Sequence, residues 1–407
     1  MKNHLKTHLI QKENNQLIIA GKTAKQIIAI AGGTPCYIYD ANKIKKQIAS
    51  LKSQLPARIH LHYAVKANPF PPLVGQIATW VDGFDVASHQ ELLLALSCGM
   101  PSHKISLAGP GKSYNDLAAA ILSGAIINVE SSLELTRIYG ICESHQCKAN
   151  ISLRINPDFE LKHSGMSMGG GSKVFGIDAE LAPKIISSID TDFVNFKGLH
   201  IFSGSQNLNQ HALVETHNKT FDLAYRLLDQ ACVSASQINI GGGFGIPYFE
   251  NDKMLPLSAI TDNLSLLMSQ YQTKLNNAEI HLELGRYLVG SGGVYLSEII
   301  DKKVSRGKTY LVVDGGMHHH LANSGNFGQV IRKNYPVLLA NRIEDSECET
   351  VDVVGPLCTP LDILARGVSL PLAEVGDIFA VLQSGAYGAS ASPQEFLSQP
   401  KLRELLL

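Results

Sequence analysis

Eight short runs of apolar and β-branched residues alternate with segments of helical periodicity between residues 59 and 286. The first run is IHLHYAV and the last is AEIHLELGR, while segments such as SHQELLLALSCG and TFDLAYRLLDQACV lie between runs. Strands that alternate with helices form parallel βαβ units, and eight units fill the roughly 250 residues of a typical TIM barrel. The sequence therefore predicts an α/β fold whose main domain is a TIM (β/α)8 barrel.

The pattern changes after residue 290, where long helical segments disappear. GVYLSEII, KTYLVVDGG, ETVDVVGPLC and GDIFAVLQSGAYG predict strands joined without long helices, which is typical of a mostly antiparallel β-domain. A chain of 407 residues is long enough for both domains. We therefore expect a barrel at 36–290, a β-domain at 291–407, and an N-terminal region at 1–35 whose strand QLIIAGKT joins the β-domain.

Composition argues against nucleic acid and membranes as partners. The formal net charge is −1, no basic stripe stands out, and no window approaches about eighteen continuous apolar residues. Charged residues make up only 17% of the chain, which favours burial of some surface against another subunit.

Seven scattered cysteines and an N-terminus without a signal-peptide pattern predict reduced thiols and a cytoplasmic protein. Neither Cys142 and Cys147 nor the run His318-His319-His320 has the spacing of a metal site, so no metal is expected.

Polar residues collect at the C-terminal ends of the eight predicted barrel strands. In a TIM barrel those ends form a single mouth, where active sites are built. A purely structural pattern would scatter polar residues over both ends of the barrel, so this distribution favours a functional site. The residues are Lys66, Asp85, Ser88, Glu130, Arg154, His200, Ser205, Gly241, Gly242, Gly243, Glu283 and Arg286.

Lys66 ends the first strand, where two roles are open: a charge that reaches solvent, or a nucleophilic amine that attacks a carbonyl. The run Gly241–Gly243 follows strand seven, where this barrel commonly holds phosphate, although glycines also form turns without a ligand. Ser205 and Arg286 could add a hydroxyl and a guanidinium to the same anion. These contributions beside one strand-end lysine predict pyridoxal 5'-phosphate, with Lys66 as the Schiff-base lysine.

Glu283 fits a pyridoxal site, because a carboxylate beside the pyridine nitrogen keeps that nitrogen protonated. The alternative is an ion pair with Arg286. If both residues lay on one strand at i and i+3, they would face opposite sides, which favours separate roles.

Seven motifs occur in a fixed order, namely HYAVKAN, GFDVAS, GLH…GSQ, INIGGGFG, ELGR, GPLC and SGAYG. With them the chain resembles the fold-type III pyridoxal-phosphate decarboxylases, which include diaminopimelate, ornithine and arginine decarboxylases. The similarity covers roughly residues 35–390. It implies a barrel plus a β-domain, decarboxylase activity, and a head-to-tail homodimer with two shared active sites.

The resemblance also implies roles for individual residues. Lys66, Cys358 and His200 are the expected catalytic residues, and Cys358 would protonate the Cα carbanion after CO₂ leaves, from the partner's β-domain. The alternative for Cys358 is a small buried hydrophobic residue. The implied cofactor-binding set is Lys66, Asp85, Arg154, His200, Phe202, Ser205, Gly241, Gly242, Gly243, Glu283, Gly285, Arg286 and Tyr387.

Two departures from the family bear on the substrate and the cofactor. Phe202 stands where the family usually has the histidine that stacks on the cofactor; a phenyl ring can stack but cannot change charge. Thr359, which with Asp362 is a candidate substrate contact, stands where the basic amino acid decarboxylases have an acid. A substrate with a distal ammonium would therefore lose a charge-assisted hydrogen bond worth ~1.5–3 kcal/mol.

The strings GPLCTPLD and GAYGASASPQEFLSQP are similar to two branches of the family, the acyl-carrier-linked glutamyl decarboxylases and an exosortase-associated group. The expected reaction is α-decarboxylation of a small L-amino acid or of an aminoacyl group tethered to an acyl-carrier protein. The alternatives are a diaminopimelate decarboxylase, a pyridoxal-phosphate racemase, and a non-catalytic protein that binds the cofactor.

Overall fold

The computed structural model describes residues 10–161, 165–249, 251–327 and 333–407. The chain divides into two compact units. The barrel unit contains Gln47–Ile246 and Lys253–Leu288. The β-unit contains Met1–Lys46, Pro247–Asp252 and Val289–Leu407.

The barrel unit is a closed sheet of eight parallel strands, as predicted. Each strand pairs with the next along the chain, and the last pairs with the first through Ile280 opposite Ile59. Nearly every strand residue is buried, which explains why these segments are continuous apolar runs without strict alternation. The barrel strands one to eight are Ile59–Ala64, Gly83–Val86, Ile105–Leu107, Ile126–Val129, Ala149–Asn156, Val194–Ile201, Gln237–Gly242 and Glu279–Leu284.

Helices follow the barrel strands and begin at the mouth. Ser88 and Ser131 accept hydrogen bonds from the backbone N–H groups of Glu91 and Glu134, so these two strand-end serines are helix N-caps. The barrel-unit helices are Pro71–Ile77, His89–Ser97, Tyr114–Ser123, Ser132–His145, Ala182–Ser187, Gln210–Ala231 and Ser258–Tyr271, with Ala41–Lys52 and Arg286–Val289 at its borders. Short strands at Met166–Ser167 and Gly204–Ser205 pair with each other, and Ile177–Asp178 pairs in parallel with the end of barrel strand five.

The β-unit is built on a mostly antiparallel eight-stranded sheet, again as predicted. Its parallel pairs join Lys308–Val313 to Cys348–Val354 and Arg403–Leu406 to Cys36–Tyr39, and its other pairs are antiparallel. The strands are Cys36–Tyr39, Gly293–Ser305, Lys308–Val313, Val337–Leu339, Cys348–Val354, Ile363–Pro371, Ile378–Val381 and Arg403–Leu406.

The N-terminal segment packs on this sheet but forms a sheet of its own. Strands Gln11–Glu13, Gln16–Ile19 and Lys22–Thr23 pair with one another and lead into helix Ala24–Ala31. Leu17 and Ile19 share a buried core with residues of the large sheet. The N-terminal strand inside the large sheet is Cys36–Tyr39, a fully buried run that pairs with Gly293–Ser305. The β-unit therefore extends past residue 35, where the sequence suggested that the barrel begins.

Among the described residues, no helix combines the length and the apolar character needed to cross a membrane.

Candidate active site

Lys66 lies at the barrel mouth, in the single helical turn Val65–Ala67 that follows strand one. Its Nζ donates to Asp85 Oδ2 at 3.1 Å and to Glu283 Oε1 at 3.2 Å. The Lys66 side chain is 37% exposed, whereas those of Asp85 and Glu283 are 0% and 2% exposed. The amine is therefore anchored by two buried carboxyl groups and is still accessible to a carbonyl compound that enters the mouth.

The two carboxyl groups beside Lys66 differ in protonation. Burial, followed by the charge of Glu283, raises the pKa of Asp85 to about 8. Burial also acts against ionisation of Glu283, but the charge of Lys66 and a hydrogen bond from His200 outweigh it and hold the pKa of Glu283 well below its usual range. At neutral pH the negative charge therefore resides on Glu283, and Asp85 retains a proton.

His200 supports Glu283 from strand six. Its Nε2 lies 3.1 Å from Glu283 Oε2, and both side chains are buried. Burial lowers the pKa of His200, so the ring is neutral and Nε2–H donates to the carboxylate. The second ring nitrogen, Nδ1, is buried and has no hydrogen-bond partner among the residues that the structure describes. His200 therefore holds Glu283 in place through its Nε2 atom.

Phe202 lies beside the lysine. The Lys66 Nζ is 5.8 Å from the centre of the Phe202 ring, which is within the range of a cation–π contact. The rings of His200 and Phe202 are 6.5 Å apart. An apolar aromatic face therefore borders the amine.

The run Gly241–Gly243 requires glycine for steric reasons. A Cβ on Gly242 would come within 2.1 Å of Glu283 O, and one on Gly243 within 2.7 Å of Gly204 O. Gly241 and Gly243 also have positive φ angles of 68° and 81°. The backbone of this run is thus pressed between the ends of strands six and eight, and side chains are excluded from it.

Gly285 and Arg286 follow strand eight. A Cβ on Gly285 would meet Ala67 Cβ at 2.7 Å, so the end of this strand touches the turn that carries Lys66. Arg286 begins helix Arg286–Val289 and is not part of the strand, which ends at Leu284. Glu283 and Arg286 therefore do not share a strand, contrary to the assumption made from sequence. Glu283 contacts Lys66 and His200, as described above. Ser205, the third predicted anion contact, lies half-buried in the short strand after strand six.

Arg154 belongs to a buried ion network that the sequence only partly revealed. Its Nη1 donates to Glu130 Oε1 at 2.8 Å, and Glu130 also accepts from the backbone N–H groups of Gly109 and Gly176 at 2.7 and 3.0 Å. The buried Lys112 lies 2.8 Å from Glu134 and 3.9 Å from Glu130. Glu130 thus connects three mouth loops and orients Arg154. Arg154 on strand five lies opposite His200 on strand six in the register of the sheet.

Replacing Glu130 with glutamine is expected to lower the free energy of unfolding by about 3 kcal/mol, because Arg154 and Lys112 would lose a buried charge partner. Urea denaturation of the purified variant measures this change. Glu215→Gln is the matched control, because Glu215 pairs with Lys219 at the surface and its side chain is 45% exposed. The control should cost less than about 0.5 kcal/mol. Equal costs for the two variants would contradict a role of the network in holding the mouth.

Four predicted residues belong to the β-unit and are described within it. Cys358 is exposed in the loop that follows strand Cys348–Val354, so it is not a small buried hydrophobic residue. Thr359 is half-buried, and its Oγ1 accepts from the Leu361 N–H at 3.3 Å. Asp362 is buried, and Tyr387 is half-buried with a φ angle of 54°. Across the described parts of both units, no three histidine, cysteine, aspartate or glutamate side chains are grouped as metal ligands would be.

Known proteins resemble this chain along most of its length. Residues 41–290 match the family model described as the pyridoxal binding domain of pyridoxal-dependent decarboxylase. The L-glutamyl-[BtrI acyl-carrier protein] decarboxylase of Niallia circulans is 36% identical over 379 residues, which cover 92% of this chain and 88% of the relative. The diaminopimelate decarboxylase of Aquifex aeolicus is 31% identical over 401 residues, covering 98% and 92%. Among solved structures, diaminopimelate decarboxylase from Helicobacter pylori complexed with L-lysine has a TM-score of 0.84 at 29% identity and covers 94% of each chain.

Proposed function

The chain belongs to the pyridoxal-dependent decarboxylases, and from that membership we propose that it decarboxylates an aminoacyl group, such as a glutamyl group, tethered to an acyl-carrier protein. Its reaction class is α-decarboxylation, in which CO₂ leaves and an amine remains. The substrate assignment rests on one observation, the neutral Thr359 beside Cys358. The family relationship supplies the reaction, and this residue narrows the substrate.

Pyridoxal 5'-phosphate is the proposed cofactor, and the residues at the mouth fit it. The glycine run excludes side chains, as a backbone cradle for a phosphate must, and Ser205 and Arg286 follow the two neighbouring strands. The accessible amine of Lys66 suits the aldehyde, and the ionised Glu283 suits the pyridine nitrogen. When bound, the cofactor accepts the electrons that the departing CO₂ leaves behind.

The protein's own groups fix orientation and move one proton. Lys66 would bind the aldehyde of the cofactor, and Asp85 and Glu283 hold the Lys66 amine when it is free. His200 keeps Glu283 ionised and fixed. The Cys358 thiol gives its proton to Cα, where the C–CO₂ bond has broken, and the resulting thiolate regains a proton from solvent, so that each turnover consumes one proton.

A homodimer with shared sites accounts for the β-unit residues in this scheme. Cys358 of one subunit would complete the barrel mouth of the other, and the exposure of Cys358 in the single chain is consistent with such a role. All seven cysteines are free, which supports action in a reducing compartment such as the cytoplasm.

Thr359 disfavours substrates with a distal ammonium. Its hydroxyl already accepts from the Leu361 N–H, and a threonine carries no charge to pair with a cation. A free distal ammonium would forgo a charge-assisted hydrogen bond worth ~1.5–3 kcal/mol. A tethered glutamyl group has no distal cation, so it loses nothing at this position. Diaminopimelate is the second candidate substrate, because a diaminopimelate decarboxylase is similar to this chain over 98% of its length.

A CO₂-release comparison tests the substrate assignment. The purified, cofactor-loaded protein is offered a glutamyl-loaded carrier protein, free glutamate, diaminopimelate, ornithine and arginine. We expect the loaded carrier to give the highest kcat/KM, and Thr359→Glu to raise kcat/KM for diaminopimelate by roughly 10- to 100-fold. Faster turnover of diaminopimelate than of the loaded carrier by the unaltered protein would refute the carrier proposal. Exchange of the α-proton without CO₂ would instead identify a racemase.

A further inference from the structure

The loop that presents Cys358 is closed by hydrogen bonds within the β-unit. The Gly355 N–H donates to Asp362 O at 3.0 Å, and the Thr359 N–H donates to Leu357 O at 2.8 Å. Cys358 therefore lies between two residues whose backbones are fixed, in a loop whose ends meet. Its thiol is exposed although the loop is short and tied, so the direction of that thiol depends on what holds the loop.

The Asp362 carboxylate lies at the base of this loop. Oδ2 accepts from the Leu357 N–H at 2.9 Å, and Oδ1 accepts from the Met317 N–H at 2.6 Å. Asp362 is only 2% exposed. One side chain thus joins the residue just before Cys358 to a separate segment of the β-unit.

Two glycines make room for this carboxylate. A Cβ on Gly316 would lie 2.4 Å from Asp362 Oδ1, and one on Gly355 would lie 2.3 Å from Oδ2 and 2.6 Å from Gly316 Cα. Neither position can carry a side chain while Asp362 stays where it is. The two backbone segments are packed against each other, with the carboxylate inserted where the side chains would be. We call this arrangement the Asp362 clasp: Asp362, Gly316, Met317, Gly355 and Leu357.

We propose that Asp362 is a positioning residue for the Cys358 proton donor, and that it acts through the clasp and not by contact with substrate. This inference rests on the role proposed above for Cys358. Each carboxylate oxygen accepts a backbone N–H group and the side chain is 2% exposed, so the carboxylate holds the loop backbone and is shielded from the surface. Its contribution is to fix the Leu357–Cys358 peptide, so that the thiol proton reaches Cα of the substrate and not an atom of the cofactor.

The test compares Asp362→Asn with Cys358→Ala in the cofactor-loaded, full-length protein. Asparagine keeps the shape of aspartate, but its amide group can accept only one of the two N–H bonds and opposes the other. Protonation at Cα gives the amine. A proton delivered to the cofactor instead would, after hydrolysis by water, leave the amino nitrogen on the cofactor and release a carbonyl product, so the ratio of amine to carbonyl product reports the path of the proton. Gly355→Ala disturbs the same clasp from its other side and is a second variant if Asp362→Asn folds poorly.

A readout without turnover accompanies the product ratio. The rate of alkylation of Cys358, measured by peptide mass spectrometry relative to the exposed Cys232 of the barrel unit, reports how tightly the loop is held. Asp377→Asn is the matched control. Asp377 is likewise a buried aspartate of the β-unit that accepts a backbone N–H, from Glu374 at 2.8 Å, and it is outside the clasp.

We expect Asp362→Asn to lower kcat by about tenfold with KM within about threefold of the original, to shift products toward the carbonyl, and to speed Cys358 alkylation at least threefold. Asp377→Asn should alter neither the product ratio nor the alkylation ratio. If Cys358→Ala shifts the products but Asp362→Asn and Gly355→Ala behave like Asp377→Asn, the positioning role is overturned while the role of Cys358 stands. If Cys358→Ala itself leaves the products unchanged, the proposed proton donor is wrong, and the inference built on it is overturned too.

Discussion

Replacing Lys66 with alanine is expected to lower decarboxylation by at least about 1,000-fold, because no other described amine occupies the position between Asp85 and Glu283. The loss should appear in kcat with saturating cofactor in the assay. The absorption band of the bound cofactor should also shift, since the covalent bond to the protein would be missing. Both quantities are measured on the same purified sample by CO₂ release and absorption spectroscopy.

Lys66→Arg separates the charge of this residue from its reactivity. A guanidinium retains the positive charge that Asp85 and Glu283 bind, but it is always protonated and does not attack the aldehyde. We therefore expect Lys66→Arg to be as inactive as Lys66→Ala and to unfold closer to the urea concentration of the original protein. Borohydride reduction followed by peptide mapping should label Lys66 in the original protein alone. Labelling of a different lysine would refute the assignment of the nucleophile.

The position of Lys66 could be predicted from sequence because a parallel barrel brings all of its strand ends together. Once eight strands are assigned, residues as distant along the chain as Lys66, Asp85 and Glu283 must face one mouth. The structure brings these three side chains within hydrogen-bond distance. The difference between the two carboxyl groups could not be predicted, since it depends on burial and on the His200 contact, which are properties of the folded barrel.

A polar residue at the end of a barrel strand can belong to the active site or can cap the next helix, and the sequence does not distinguish the two roles. Ser88 falls at a strand end and is one of the candidate residues of the mouth, but its side chain caps the helix that follows. The burial of Lys112 could not be predicted, because a lysine in a glycine-rich turn is usually solvated, whereas here its side chain is 2% exposed beside Glu134. Glu134, the carboxylate partner of Lys112, lies three residues after the helix N-cap Ser131. That spacing is typical of a capping residue, so the sequence does not indicate its ion pair with Lys112.

The β-unit shows a different limit. Strand order in an antiparallel sheet with long connections is not set by chain order, so a sequence cannot show that Cys36–Tyr39 pairs with Gly293–Ser305 and Arg403–Leu406. The role of Cys358 came from the resemblance of the GPLC motif to a family. The clasp under it could be recognised only when the two glycines and the carboxylate were seen together.

Replacing Glu283 with glutamine is expected to lower kcat by about 100-fold, equivalent to about 2.7 kcal/mol of transition-state stabilisation. The carboxylate is the ionised member of the buried pair, and a neutral amide cannot keep the pyridine nitrogen of the proposed cofactor protonated. Glu279→Gln is the control on the same strand, since that side chain is 61% exposed, and it should change kcat by less than about twofold. If Glu283→Gln retains the absorbance of the bound cofactor, the variant still binds the cofactor and the fall in kcat reflects a slower chemical step.

The pH dependence of stability in the cofactor-free protein gives Glu283→Gln a second, independent readout. The folded protein holds the Asp85 proton up to a pKa of about 8, whereas the unfolded chain releases it near the ordinary value of 3.8. The folded state therefore binds more protons between these values, and Asp85 makes the protein less stable as pH rises through that window. Because the charge of Glu283 helps to raise the pKa of Asp85, its removal should reduce this loss. Urea denaturation at pH 5 and pH 8 should accordingly show the variant gaining stability relative to the original protein as pH rises. If the difference between the two proteins is the same at both pH values, the carboxyl groups are not coupled, and the assignment of the charge to Glu283 is wrong.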